Sequence, residues 1–236
     1  MDQFKMVFEP IPHYNKLPKD ILAEIELIDL SKTIKSHNYP CPRKYGEAWH
    51  TLMQQHLKNG VIQHSSSFAS PAFIIPKADP NVLPCWVNNF WQLNENTVTD
   101  SHPLPHIDDI LNNCAKGKIW AKLDMTNSFF QTWMHPDNIP YTAVSAPFGL
   151  YEWLVMPMGL KNTPVIHQRR VTKALGALIE KICHIYLDDI IIWSNSLEEH
   201  NKNVALVLQA LADAQLYCNP KKTYISMLRG NQFPWS

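Results

Sequence analysis

The chain has no excess of either charge. Lys+Arg and Asp+Glu each number 21 among 236 residues, so no global positive field draws in a polyanion. A nucleic-acid binder of this composition needs local basic patches instead. Its five cysteines (Cys41, Cys85, Cys114, Cys183, Cys218) are odd in number and show no CxxC spacing. That excludes a disulfide frame or a zinc site and implies free thiols in a reducing compartment. No apolar run approaches the ~20 residues a membrane span needs. The start, MDQFKMVFEP, lacks the charged-then-apolar layout of a signal peptide. No internal repeat or low-complexity tract is visible. The expectation is a soluble intracellular protein, cytoplasmic or nuclear.

What is present is a hydrophobic fraction of 45%, enough for one or two compact domains. Residues 1–45 are rich in proline and polar side chains and read as a loosely structured lead-in. The piece AEIELIDL (23–30) fits either a strand or a poor helix. GEAWHTLMQQHLKNG (46–60) has Trp49, Leu52, Met53 and Leu57 on one helical face, and Gly60 suits a left-handed stop. PAFIIPKADP (71–80) and CWVNNFWQLN (85–94) read as two strands of a ribbon. HPLPHIDDILNNCAKGK (102–118) reads as a short helix with Ile107, Ile110 and Leu111 inward.

IWAKLDM (119–125) reads as a strand running into Asp124, and FGLYEWLVMPMGL (148–160) as a strand that stops at Pro157-Met158-Gly159. Residues 165–182 have helical spacing through Val171, Ala174, Leu175 and Leu178. HIYLDDIIIW (184–193) reads as a hairpin with Asp188 and Asp189 at its tip. SLEEHNKNVALVLQALADAQL (196–216) is a helix, with Ser196 and Glu199 as a capping box and Val204, Val207, Leu208 and Leu211 as its stripe. The mixing argues for an α+β fold with a largely antiparallel sheet.

Adjacent aspartates between buried runs need a reason, because an unpaired buried carboxylate is costly and two neighbours repel. A hairpin tip, pairing with Lys or Arg, and a bound divalent cation each supply one. Asp124, at the end of a second strand, adds a third acid. A strand end and a hairpin tip that converge would gather hard oxygen ligands suited to Mg²⁺. Two such ions activate an attacking hydroxyl and stabilise a leaving pyrophosphate oxygen. Strand neighbours point to opposite faces, so Asp188 is expected to share metals with Asp124, and Asp189 to sit at the edge.

These residues carry a resemblance. YLDD (186–189), LDMTNSFFQ (123–131) and FGLYEWLVMPMGLKNTPVIHQ (148–168) resemble the reverse transcriptase of gypsy-type long-terminal-repeat retrotransposons. SSSFASPAFIIPKAD (65–79) and QLNENTVTDSHPLPHIDDIL (92–111) extend the match, which runs in order over roughly residues 40–222. The resemblance implies a right-hand polymerase with fingers over 46–118, the 102–118 helix leading into the palm. It places the palm over 119–223, with fingers residues inserted between its motifs. The implied activity is metal-dependent DNA synthesis from dNTPs on a primed RNA or DNA template, with two Mg²⁺ ions or Mn²⁺.

The resemblance also implies roles. Asp124, Asp188 and Asp189 match the metal-binding catalytic carboxylates. Met125 would lend backbone near the triphosphate. Phe129 matches the bulky residue that excludes a ribose 2′-hydroxyl, because a ring below the sugar leaves no room for the extra oxygen. Gln131 follows in the same motif. Lys77 matches a fingers lysine on the triphosphate. Met158, Gly159 and Lys161 match the segment lining the nucleotide and template side, and Tyr186 matches the aromatic that leads the hairpin motif.

The departures are as specific as the match. Where the family has an arginine that grips the triphosphate, this chain has Cys85. Asn89 stands for an aspartate and Trp91 for a second arginine, while Trp133 and His106 also occupy places where arginine is common. Cys, Trp and His are each one base transition from certain arginine codons, which implies a decayed copy with impaired or no catalysis. After LYCNPKKT (216–223) the tail 224–236 reads as aberrant, with the thumb expected to be absent.

Two other readings stand beside the polymerase. One is a non-catalytic nucleic-acid-binding remnant using Lys77, Lys116, Lys118, Lys122, Lys161, Arg169, Arg170, Lys173, Lys221 and Lys222. The other is a metal-dependent hydrolase, which has no need of a sugar gate at Phe129.

Overall fold

A computed structural model describes residues 2–32, 39–67, 69–79, 82–101 and 105–228. The first half carries β1 (Leu22–Ala23), α1 (Gly46–Lys58), β2 (Ile62–His64), β3 (Ser70–Ile75), β4 (Cys85–Asn88), α2 (Trp91–Glu95) and α3 (Ile107–Cys114). The second half carries β5 (Ile119–Asp124), β6 (Trp133–Met134), β7 (Val144–Ala146), β8 (Gly149–Trp153), α4 (Thr163–Leu175), β9 (Cys183–Tyr186), β10 (Asp189–Ser194), α5 (Leu197–Asp213) and β11 (Tyr224–Leu228). Two compact units result, one from residues 1–11, 101–128 and 164–236, the other from 12–100 and 129–163.

The first unit is built on an antiparallel sheet in the order β11-β5-β10-β9. Alternation along β10 decides how the isoleucine run is used. Ile190 and Ile192 join Ala121, Leu123 and Ile185 beneath Val171 and Leu175 of α4 and Val204, Val207, Leu208 and Leu211 of α5. Ile191 and Trp193 face the other way, against Trp120 and against Ile110 and Cys114 of α3. A strand covered on both faces reads as a continuous apolar run, which is why the aspartates next to it stand out. On α3 the buried pair is Ile110 and Cys114, while Ile107 is 53% exposed and Leu111 39% exposed. The expected inward stripe is therefore rotated: only the i, i+4 pair reaches the tryptophans on the sheet.

The capping pair at α5 is present: Ser196 Oγ accepts from the Glu199 N–H at 3.2 Å, while Glu199 Oε2 accepts from the Asn195 N–H, one residue before the cap, at 2.8 Å. Ser196→Ala is expected to lower stability by about 1 kcal/mol, read from a urea unfolding midpoint.

Two segments depart from the sequence reading. Residues 2–8, assigned there to a loose lead-in, form a 3-10 segment whose Phe4 and Val7 lie in the core of the first unit. The Cys218 N–H donates to Val7 O at 2.7 Å and ties the segment down. Residues 224–228, assigned to an aberrant tail, form β11 and pair with β5. Residues 229–236 and 102–104 lie outside the described residues.

The second unit holds a sheet in the order β2-β8-β7-β3-β4, with β3 and β7 parallel. Its core is aromatic: Trp49 meets Trp86 at 4.8 Å, Trp86 meets Trp153 at 5.4 Å, and Phe130 meets Trp153 at 5.2 Å between ring centroids. His56 of α1 packs among Trp86, Phe130 and Trp153. The ribbon of β3 and β4 is present, but CWVNNFWQLN is strand only to Asn88. Asn89 Oδ1 accepts from the Trp91 N–H at 3.1 Å and turns the chain into α2. This is the local competition that Asn side chains offer to a strand ladder. Gly60 ends the α1 region with φ +72°. The piece from 23 to 30 is a strand only at its start, where β1 runs parallel to β6.

Candidate active site

The four-stranded sheet of the first unit brings two of the three predicted acids face to face. Asp189, the first residue of β10, lies directly opposite Asp124, the last of β5. Asp188 sits in the two-residue loop between β9 and β10. Its carbonyl accepts the Met125 N–H at 2.9 Å, which extends the pairing one residue past the strand. Leu187, its partner in the loop, has φ +53°. A leucine in the left-handed region is strained, and the two-residue turn requires such a conformation.

Each acid has a named neighbour. Lys122 Nζ lies 2.9 Å from Asp189 Oδ2, and both side chains are only 16% exposed. Ser128 Oγ donates to Asp188 Oδ1 at 2.6 Å. Lys222 Nζ stands 3.8 Å from Asp124 Oδ2, from a largely exposed position. Burial holds the Asp124 carboxyl above its usual range. Lys222 pulls it back, Asp189 pushes it up, and Lys122 and Asp188 act down and up in turn. Burial, and not a surplus of negative charge, is therefore what raises this carboxyl. Among the described residues no group of three or more His, Cys, Asp or Glu side chains is spaced to hold one ion.

The remaining expected residues divide between the units. Met125 is buried and Tyr186 is half-buried, packed beside Trp120, Ile191 and Trp193. Beneath the hairpin, Gln168 Nε2 donates to Ile185 O at 3.3 Å. His167, also on α4, is fully buried and its imidazole is pushed down to about 4 by that burial, against the pull of Asp188 and the Leu187 backbone.

In the other unit, Lys77 is exposed just beyond β3. Phe129 is half-buried and Gln131 fully buried in one 3-10 turn. Met158 is exposed, and Gly159 has φ +99° with its α-carbon against Asn88 O, where a Cβ would come within 3.1 Å. Lys161 donates from Nζ to Thr97 O at 2.9 Å and from its N–H to Asn94 Oδ1 at 2.8 Å.

At the departures, Cys85 is exposed opposite Ile75 on the ribbon. Asn89 Nδ2 donates to Tyr39 Oη at 2.9 Å. Trp91 is 65% exposed, and Trp133 carries Lys19 Nζ over its ring at 4.5 Å.

Sequence reasoning placed Lys122 and Arg170 among surface basic points; the first is enclosed and Arg170 is 4% exposed. The signal for Lys122 was strand alternation, since two residues before Asp124 is the same face. The role of Ser128 had no comparable signal, because it depends on how the turn after Asp124 closes.

A four-stranded antiparallel palm sheet with acids at a strand end and a hairpin tip defines a right-hand polymerase fold. The foamy viral protease-reverse transcriptase in complex with RNA/DNA hybrid shares it with a TM-score of 0.82 at 20% identity, over 94% of this chain and 30% of that one. The same viral protein in complex with dsDNA gives 0.81 at 21% identity, over 97% and 47%. The family model for reverse transcriptase (RNA-dependent DNA polymerase) matches residues 75–233, and the chain belongs to that family.

Its relatives include the retrovirus-related Pol polyprotein from transposon opus of Drosophila melanogaster, 35% identical over 95% of this chain. The Pol polyprotein from transposon gypsy of the same species is 32% identical over 86% of it. The enzymatic polyprotein of cauliflower mosaic virus (strain NY8153) is 33% identical over 89%. The chain spans 23%, 20% and 31% of those proteins respectively. Among the described residues no helix is long and apolar enough to cross a membrane.

Proposed function

We propose that this domain is built for template-directed DNA synthesis by nucleotidyl transfer, on a primed RNA or DNA template with dNTPs, and that its catalysis is impaired. The observation that carries the reading is the register of Asp189 against Asp124 with Asp188 at the adjoining turn. The donor chemistry suits Mg²⁺: the acids offer hard oxygens, and Asp188 and Asp189 both act on Asp124 as neighbouring negative charges. Asp124 and Asp188 would hold the ions, with Asp189 beside them. Such ions would supply Lewis acidity to the attacking and leaving oxygens.

The other roles belong to the protein. Ser128 orients Asp188 by donating to its carboxylate. The Met125 backbone lies beside the acids. Phe129 would exclude the 2′-hydroxyl, with Gln131 as a buried support in the same turn. Lys77, exposed just beyond β3, would contact the triphosphate. Met158, Gly159, Lys161 and Tyr186 would line the nucleotide and template side. The impairment rests on Cys85, which presents a thiol where a guanidinium fork would bind two phosphate oxygens.

The test is nucleotide incorporation on a primed homopolymer template with Mg²⁺ or Mn²⁺, beside an Asp188→Asn control. Slow incorporation that the control abolishes is the expected result. Template binding without incorporation would overturn the catalytic reading in favour of a binding remnant. Strand cleavage without added nucleotides would favour a hydrolase.

A further inference from the structure

Lys122 and Asp189 form an enclosed ion pair, at 2.9 Å with both side chains 16% exposed. The register explains the pairing. Asp189 is opposite Asp124, and Lys122 is opposite Ile191, so the ammonium reaches Asp189 along the cross-strand diagonal on the face that Asp124 shares. Like charges directly opposite one another in a sheet are destabilising. A lysine two residues back on β5 is placed to offset that repulsion. A half-buried carboxylate oxygen in contact with an ammonium is also a poor candidate for a second cation, because binding would set two positive charges on one oxygen.

We propose that Lys122 is a positioning residue that holds Asp189 as its counter-ion and keeps it out of the metal-ligand set. The cation site is then a two-carboxylate site of Asp124 and Asp188. This inference rests on the metal-binding reading given above. It assigns Asp189 a structural charge, not a coordinate bond, and it gives a function to a lysine outside the expected site.

The test is Mn²⁺ binding to the purified chain, read from the loss of the free-ion paramagnetic resonance signal, with a melting temperature recorded for every variant. Asp188→Asn is expected to weaken binding by about tenfold or more. Lys122→Met leaves Asp189 uncompensated and is expected to tighten binding by about three- to tenfold, while Asp189→Asn weakens it by a similar factor. The double variant Lys122→Met/Asp189→Asn removes both charges and is expected to bind within about twofold of the original chain. Lys122→Arg keeps the charge and is expected to do the same.

A double variant that loses affinity as far as Asp188→Asn does would make Asp189 a ligand and overturn the proposal. Melting temperatures that fall in both single variants without opposed shifts in Mn²⁺ affinity would reduce Lys122 to a packing role and overturn it too. Unchanged binding in Asp188→Asn would instead remove the metal site itself, a failure of the underlying reading that the other variants do not mimic.

Discussion

Cys85→Arg is expected to raise the rate of nucleotide incorporation by roughly 10²–10³-fold, the equivalent of ~2–4 kcal/mol of transition-state stabilisation. The position is prepared for it. Cys85 begins β4, is exposed, and pairs with Ile75, two residues before Lys77. An arginine there leaves the ribbon by its solvent end and displaces nothing in the core. It would add a planar, always-charged fork near a lysine that supplies only a point charge.

The measurement is single-turnover incorporation at saturating nucleotide, comparing Cys85, Cys85→Arg and Cys85→Lys. The lysine variant should recover only a fraction of the gain, because charge without the fork misses the bidentate contact. The Cys85→Arg/Asp188→Asn double variant should show no incorporation. Equal rates for Cys85 and Cys85→Arg would mean that the missing guanidinium is not what limits this domain.

The second large effect is acid instability set by His56. Burial against Trp86, Trp153 and Phe130 pushes its imidazole down to about 4 from 6.5. The folded state refuses a proton that the unfolded chain accepts below about pH 6.5. This group's contribution is therefore present in full above that pH. It falls as pH drops, and is lost by about pH 4, a swing of about 3 kcal/mol. His167 acts with the same sign in the palm unit.

His56→Phe keeps a ring in the aromatic cluster and removes the titration. Urea midpoints at pH 6.5, 5.5 and 4.5 should then converge: the variant loses less stability on acidification than the original chain. Parallel losses in the two proteins would show that His56 is protonated without cost in the folded state.

Much of this molecule was legible in its sequence because the relevant signals are local. The capping pair of Ser196 and Glu199, the stripe on α5 and the stop at Gly60 all depend on residues within a turn of one another. Each appears as read. The ordered motifs around Asp124 and the YLDD hairpin were equally readable, and they sufficed for the family. Misreadings fell where distant partners decide. The exception is WQLN, where Asn89 Oδ1 accepts the Trp91 N–H two residues on and turns the chain into helix. Phe4 and Val7 look like any residues of a polar leader until α5 offers them cover. The stripe of α3 was set by Trp120 and Trp193, and not by its own periodicity.

The sequence by itself determined that three acids sit at a strand end and a hairpin tip, since apolar alternation and turn chemistry are written in neighbouring residues. Only the tertiary structure decided which acid each cation serves. Lys122 meets Asp189 because β5 and β10 pair in one register, and a slip of one residue would send that ammonium to the opposite face. Register belongs to two strands hydrogen-bonded to each other, and neither strand carries it alone.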